Sequence, residues 1–375
     1  MTARSGMIQT YINTVPDKRM VTDRILNMNP YDIAAYSMLG TDMGKFNFMN
    51  RDEKTYEWLN DTYNSRSDTV ATGLASVTTT TTCTITTAAL YQPGDVWLIE
   101  SEQIWVSAIS GSVITVTRGW GSTTKATHAN STALTRISRA RIDGDDADDS
   151  PSTEVSSNYN YTQILQRTIN IARSKQKAAE YGISDWRTYM EDKFMDELMM
   201  DLARLPYYGR RYIGTASAAR YAGGFPTFIT GNLTNCSSNP LTRKNIDDTL
   251  QLIHADGGDP NLILTGAWAQ RKITDFYEGY VTTERSEQLG GTMIKQLMNP
   301  ITGKVLDVVV DRNCPTNYMW IVDTSVIAYY PFDPFFSEVL AKTGDADKMQ
   351  VVGEYGFVCA NDDWHGAVYG FSTTA

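Results

Sequence analysis

Trp186-Arg187-Thr188-Tyr189-Met190-Glu191-Asp192-Lys193-Phe194-Met195-Asp196-Glu197-Leu198-Met199-Met200-Asp201-Leu202 places Trp186, Met190, Phe194, Leu198 and Leu202 four residues apart, with Met195 and Met199 beside them. A stripe with that period is the buried face of an amphipathic helix. Ser184 or Asp185 can cap its start, and Leu205-Pro206 follows its end. Upstream, Ile164, Thr168, Ile171 and Lys175 also fall at helical spacing, as do Leu165 and Ala172, with Gly182 as an interruption. The pattern predicts helix across 162–205, roughly 66 Å long if unbroken at ~1.5 Å per residue. A helical feature of that length serves as the backbone of a domain.

Working outward toward the N-terminus, the period changes from helical to strand-like. Strands are expected at 95–99, 103–109, 112–118 and 132–138, with Gln92-Pro93-Gly94-Asp95 turning before the first. Ser101-Glu102 and Ser110-Gly111 are hairpin loops, and the threonine run Thr78–Thr82 is β-prone and so extended. Short strands with close turns predict a small all-β barrel or sandwich over about 71–137. Its flanks, 50–70 and 138–160, are polar, and the second passes through Asp143, Asp145, Asp146, Asp148 and Asp149. Residues 1–49 have little apolar periodicity and read as an arm, with a short helix from Asn29-Pro30-Tyr31-Asp32 through Leu39 to Gly40.

Toward the C-terminus the chain is Gly- and Tyr-rich up to Pro240. Helices then fit 242–255 and 267–279, and strands fit 261–265, 304–310, 317–322 and 325–330, with Gly290-Gly291 as a flexible break. Runs at 348–359 and 364–371 flank Asn361-Asp362-Asp363 and predict a closing hairpin. The fold class is α+β.

Composition narrows the function classes. The 375 residues are 42% hydrophobic and 20% charged, enough apolar content for two or three folding units. A net charge of −10 argues against a protein that wraps nucleic acid, though not against a wall that encloses it. No run of 18 apolar residues predicts a membrane span, and Met1–Thr10 lacks the apolar core of a secretory signal. Cys83, Cys236, Cys314 and Cys359 form no C-x-x-C pair, which suits a reducing cytoplasm as the place of synthesis.

Catalytic motifs are absent: no phosphate-binding Gly-rich loop, no H-E-x-x-H and no G-x-S-x-G occurs. His128, His254 and His365 have no second histidine at ligand spacing. The acidic run from Asp143 matches a calcium loop at Glu154, but Ala147 takes a ligand position, Asp146 replaces the turn glycine and Pro151 follows. A solvated loop is the simpler reading. Asp345 and Asp347 could pair as hydrolytic carboxylates, yet Thr343-Gly344-Asp345 is equally a tight turn. No cofactor is implied. Trp97, Trp105 and Trp120 would suit a glycan- or protein-binding β-domain, although Trp97 and Trp105 also fit a barrel core. Basic residues gather at Arg136, Arg139 and Arg141, and again at Arg167, Arg173, Lys175 and Lys177 on the expected helix, where they can meet a neighbour's acidic loop.

The order of parts resembles the major capsid proteins of tailed bacteriophages, which share the Hong Kong 97-type fold, and among them a family with a β-domain inserted in the extended loop. Three stretches carry the resemblance: Pro93-Gly94-Asp95-Val96 through Gly111–Gly119 to Ala126-Thr127-His128-Ala129; Leu340–Lys348; and Val352-Gly353-Glu354-Tyr355 through Asn361 and His365 to Gly370-Phe371. It implies an N-terminal arm at 1–49 and an extended loop at 50–70 and 138–160. It also implies an inserted domain at 71–137, a spine helix and peripheral domain at 161–235, an axial domain at 236–330 and peripheral return strands at 331–375. The implied function is a non-enzymatic shell subunit that assembles as pentamers and hexamers around packaged double-stranded DNA, in a virion made in a bacterial cytoplasm. A separate scaffolding protein, a portal and a decoration protein are the implied partners. Trp58, Arg66, Arg139, Arg141, Asp145, Asp146, Arg173 and Lys177 are the expected contacts between subunits. A cellular nanocompartment shell of the same fold is the alternative.

Overall fold

The structure, a computed structural model, describes residues 31–41, 53–76, 81–144, 153–178, 183–215, 218–276, 281–285, 293–342 and 344–374. Most of the expected arm, the threonines at 78–80, Asp145, Asp146, Gly182 and Gly290-Gly291 lie outside the described residues. The chain forms two compact units, one of Leu59–Ser157 and one of Met1–Trp58 with Asn158–Ala375.

The larger unit begins with α1 (Ala34–Leu39) and β1 (Thr55–Asn60). The smaller unit holds β2 (Ser67–Thr72), β3 (Thr82–Ile85), β4 (Asp95–Ile99), β5 (Glu102–Ser110), β6 (Val113–Arg118) and β7 (Ala133–Arg139). The chain returns through β8 (Ser156–Tyr161), β9 (Gln163–Ala172), α2 (Arg173–Lys177), α3 (Trp186–Tyr208), α4 (Phe225–Phe228), β10 (Leu233–Asn235) and α5 (Arg243–Ala255). It ends with β11 (Leu262–Thr265), α6 (Ala267–Phe276), β12 (Val281–Arg285), β13 (Met293–Met298), β14 (Val305–Val310), β15 (Tyr318–Val322), β16 (Ile327–Leu340), β17 (Ala346–Cys359) and β18 (Gly366–Tyr369).

The Trp186 stripe is a helix, but the stretch before it is not. At 23 residues, α3 spans about 34 Å. It is capped by Asp185, which accepts from the Arg187 N–H at 2.9 Å. Residues 163–172 are the strand β9, paired antiparallel with β17 from Gln163↔Tyr355 to Ala172↔Ala346. This corrects the expected continuous helix. The steps Ile164, Thr168, Ile171 and Lys175 are helical, but a two-residue alternation through Leu165, Ile169 and Ile171 runs in the same stretch, and it is the one the fold uses. Ile164, Thr168, Ile169 and Ile171 are β-branched, and in the strand Ile169 and Ile171 point inward while Ile164 and Thr168 point out. The α3 stripe covers that inward row: Ile169, Ile171, Leu198, Met349 and Val351 form one core cluster, flanked by Trp186, Met190 and Phe194.

A seven-stranded sheet ordered β10-β18-β15-β11-β14-β13-β12 is covered on both faces. Period-two alternation decides the sides. Ile263, Met319, Ile321 and Val368 face Ile246, Leu250 and Ile253 of α5 and Ala269 and Ile273 of α6. Leu262, Leu264, Trp320, Val322 and Ala367 face Phe225, Phe228 and the end of α3 at Leu202 and Leu205. The expected closing hairpin does not form. Asn361, left-handed at φ 51°, and the short 3-10 turn Asp362–Trp364 redirect the chain, so β17 pairs in the sheet β16-β17-β9 while β18 enters the seven-stranded sheet. His365 holds that switch. It is fully buried, its Nδ1 accepts from the Asp323 N–H at 3.1 Å, and its Nε2 therefore donates to the Ala360 carbonyl at 3.1 Å.

Burial drives the His365 pKa down from 6.5 to about 4. The depressed value favours the neutral ring, so its contribution is complete above pH 6.5 and is lost as pH falls through about 4. We expect urea unfolding of the larger unit to lose up to about 3 kcal/mol across that window, at ~1.4 kcal/mol per unit. The His365→Gln chain should show a flatter slope there; equal slopes in both chains would rule this out.

The smaller unit is a closed barrel, β2-β3-β6-β5-β4-β7, which leaves no free sheet edge. Val70, Ile85, Trp97, Ile99, Ile104, Val106, Ile114 and Leu134 fill it. In β6 the inward alternation Ile114, Val116 continues to Arg118, a charge in a core position. Glu102 answers it with two bonds, Nε to Oε1 at 3.0 Å and Nη2 to Oε2 at 2.6 Å. Glu102 also accepts from the Gly119 and Ala126 N–H groups, each at 3.0 Å, and lies 2.9 Å from His128 Nε2, whose Nδ1 is 3.0 Å from Glu100.

Candidate assembly surface

The chain leaves the larger unit along β1 and returns along β8, which pair with each other. The roots of these two legs are clamped to β17. Tyr56 donates its hydroxyl to the Phe357 carbonyl at 3.0 Å and accepts the Phe357 N–H at 2.7 Å. Asn160, fully buried, donates to the carbonyls of Gly223 and Phe357 and accepts the Gly223 N–H. Gly356 permits the Tyr56 contact, because a Cβ there would lie 2.3 Å from the tyrosine oxygen. Beyond the roots the legs carry apolar side chains with nothing to bury them: Leu59, Ile142 and Val155 are 74%, 65% and 55% exposed, and Tyr63 is fully exposed.

In the larger unit, the sheet β16-β17-β9 runs beyond its core. Alternation turns Ile164, Phe336 and Val352 away from α3, with Phe336 opposite Val352 and Gln166 in register. Ile164 and Phe336 are exposed, as is Val339 near the end of the edge strand β16. Beside them Gln166 donates to Gln350 at 2.7 Å and Gln350 to Glu338 at 3.2 Å. Sequence reading missed this strip because it assigned Ile164 to a helix and ended the strand before Pro331. Past the end of β9 opposite Ile164, Arg173 pairs with Asp345 at 2.6 Å, Lys342 pairs with Asp347, and Lys175 lies 4.6 Å from the centre of the Trp186 ring.

A further clamp holds residues 31–41. Asp311 is buried and accepts from the Ala35 N–H at 3.1 Å, the Tyr207 hydroxyl at 2.8 Å and the Asn313 N–H at 2.7 Å. Burial pushes its carboxyl pKa up, against the pull of these donors. Asp32 accepts from the Arg312 N–H, and Gly40 from the Tyr329 N–H.

The expected contact residues separate on inspection. Trp58 is in the core, its ring 5.3 Å from Phe228, because β1 alternates and turns Tyr56 and Trp58 inward together. Arg139 serves its own unit, with Nη2 donating to the Pro93 carbonyl at 3.3 Å and Nε lying 3.8 Å from Asp95. Arg66, Arg141 and Lys177 are exposed, and Arg173 is exposed within its pair with Asp345. Asp145 and Asp146 lie outside the described residues. Arg167 is on β9 rather than a helix and pairs with Asp201 at 3.0 Å.

The candidate chemistry resolves into structure. Asp345 and Asp347 are held by Arg173, Lys342 and Gln176, and the latter two draw the Asp347 pKa down. All four cysteines are buried free thiols, and among the described residues no three His, Cys, Asp or Glu side chains converge as a metal site. A cavity of about 350 Å³ beside α3 is lined by Gln163, Leu165, Asp201, Arg204, Tyr208 and Tyr355, and its carboxylate, Asp201, is paired with Arg167. No described helix is long and apolar enough to cross a membrane.

Residues 6–372 match the family model described as SU10 major capsid protein. No curated protein matches the chain. Among solved structures, the capsid of cyanophage A-1(L) is similar at 13% identity and a TM-score of 0.55, over 97% of this chain and 100% of that one. A structure from Microbacterium phage Oxtober96 is similar at 12% identity and a TM-score of 0.48, over 94% and 95% of the two chains. The SrpI encapsulin of Synechococcus elongatus PCC 7942 gives 12% and 0.46, over 59% of this chain and 79% of that one.

Proposed function

The chain belongs to the SU10 major capsid protein family, and from that premise we propose how its copies engage one another in the shell. It is a phage major capsid protein with the Hong Kong 97-type fold, a structural protein of the icosahedral head. Copies associate through the two legs, residues 59–66 and 140–157. The carrying observation is the exposure of Leu59, Tyr63, Ile142 and Val155 on segments with no core of their own. The legs lie across the β16-β17-β9 sheet of an adjacent copy, where Ile164 and Phe336 supply apolar area on the face turned away from α3. Arg173 and Lys177 meet Asp145 and Asp146 of that neighbour, while Arg66 and Arg141 flank the legs. Pentamers and hexamers form around the seven-stranded domain. A separate scaffolding protein, a portal and a decoration protein complete the head, DNA is enclosed without specific contact, assembly takes place in the bacterial cytoplasm, and the subunit performs no catalysis.

Reversing Arg173 and Lys177 together to Glu tests the polar half of this arrangement. Electron microscopy of the assembled protein should show at least a tenfold fall in particle yield, recovered in part by Asp145→Lys with Asp146→Lys. Unchanged particle yield in the Arg173→Glu, Lys177→Glu chain would remove these residues from the interface.

A further inference from the structure

Trp120 is displayed rather than buried. It starts a short 3-10 turn in which Gly119, Gly121 and Ser122 all take left-handed φ, at 66°, 67° and 66°. Left-handed backbone at a serine is costly, and such conformations persist where the surroundings enforce them. Here the enforcement is the charged plug of the barrel. Glu102 accepts the N–H groups of Gly119 and Ala126 at the two ends of the loop. Thr123 Oγ1 accepts the Gln103 N–H at 3.0 Å and donates to the Trp120 carbonyl at 2.9 Å. One indole face stacks on Trp105 at 5.3 Å and 18°, and Trp105 is itself fixed by its N–H bond to Ala140 at 2.8 Å. The ring remains 37% exposed.

Polar groups of unused capacity stand on the loop and strands that carry that shelf. The Gln103 amide oxygen would sit 3.2 Å from a Cβ on Gly121, and the Lys125 chain 3.1 Å from one on Gly119, so both lie beside the loop. Thr117 is exposed on β6, in register with Trp105. The Trp120 indole N–H, the Gln103 amide, the Thr117 hydroxyl and the Lys125 ammonium have no protein partner among the described residues. A flat aromatic face whose loop and supporting strands carry an amide, a hydroxyl and an ammonium matches a pyranose, whose C–H face is apolar and whose rim is hydroxyls. A protein contact would ask for a broad apolar patch within roughly 1,000 Å² of interface. This shelf is one indole wide and ringed by hydrogen-bonding groups. A nucleic-acid strand would need a cationic groove beside the ring, where here one ammonium stands.

We propose that the barrel carries a saccharide-binding site in which a pyranose stacks on Trp120 and its hydroxyls are bound by Gln103, Thr117 and Lys125. The test is affinity electrophoresis of the full chain through gels containing dextran, mannan, xylan or polygalacturonate. At least one polysaccharide should retard the chain. Trp120→Ala should weaken retention at least tenfold, Trp120→Phe should restore part of it, and Gln103→Leu should weaken it severalfold without removing the stacked pair. Retardation by none of the four gels overturns the proposal. So does retention of Trp120→Ala equal to that of the unaltered chain, including the case where this variant changes only self-association, which marks the shelf as a protein contact.

Discussion

Replacing Leu59, Tyr63, Ile142 and Val155 together by Ser should abolish shell formation and leave the subunit folded. The second half follows from exposure: side chains more than half exposed contribute little to the folded monomer, and surface substitutions of this kind change stability by ~0.5 kcal/mol or less each. The first half follows from what an interface would recover. Full burial of one such side chain is worth about 1.5–3 kcal/mol, so four per subunit reach roughly 6–12 kcal/mol before ordering costs. In the proposed arrangement each subunit both gives and receives legs, so the loss would recur at every contact of the shell. Sedimentation velocity should show monomers or small oligomers, and electron microscopy no closed particles. Closed particles in normal yield would show that the legs do not hold the shell together. The clamps make the experiment clean, since Tyr56 and Asn160 fix the roots through bonds that none of the four substitutions touches.

These anchors show where the sequence is legible and where it is not. The Trp186 stripe and the barrel strands β4 to β6 can be read because one periodicity dominates each, four-residue steps in α3 and tight turns between alternating runs in β4 to β6, whereas β2 (Ser67–Thr72) falls in the polar stretch expected to flank the β-domain. Residues 163–172 are ambiguous because helical steps (Ile164, Thr168, Ile171) and a two-residue alternation (Leu165, Ile169, Ile171) share the stretch, and only the long pairing with β17 settles them as β9. Losing that strand also hides the exposed Ile164–Phe336 strip. Trp58 misleads for a related reason. It sits in a polar stretch, yet two-residue alternation sends it and Tyr56 inward, while Leu59 and Tyr63 face solvent. Arg139 reads as a surface charge, and only the barrel's closure brings Asp95 near it. Buried polar clusters such as Asp311 with Tyr207 and Ala35 join residues far apart in sequence, and no local pattern announces them.

The Glu102–Arg118 plug is the most consequential of these clusters, and Arg118→Met should cost the barrel about 3–5 kcal/mol. The methionine fills similar space without strain, so the loss reports an uncompensated carboxylate rather than a cavity. Burial by itself would raise the Glu102 pKa; the bonds from Arg118, the Ala126 N–H and His128 overcome it and hold the carboxyl at about 2. A depressed carboxylate contributes stability that is complete above its ordinary 4.5 and is lost as pH falls through about 2. The difference between the two chains should therefore be largest near pH 7 and shrink by up to about 3 kcal/mol between pH 4.5 and pH 2, because acid neutralises the same group that the mutation strands. Adding Glu102→Leu to Arg118→Met should recover much of the loss, as replacing both partners of a buried pair commonly does. Trp97, Trp105 and Trp120 give the barrel a share of the near-ultraviolet circular dichroism, and the helical far-ultraviolet signal comes from the larger unit, so in Arg118→Met a part of the near-ultraviolet signal should melt first while the helical transition stays in place. A deficit that is constant with pH, or a single transition in which helix and barrel are lost together, would show that the plug is not what holds the barrel's end.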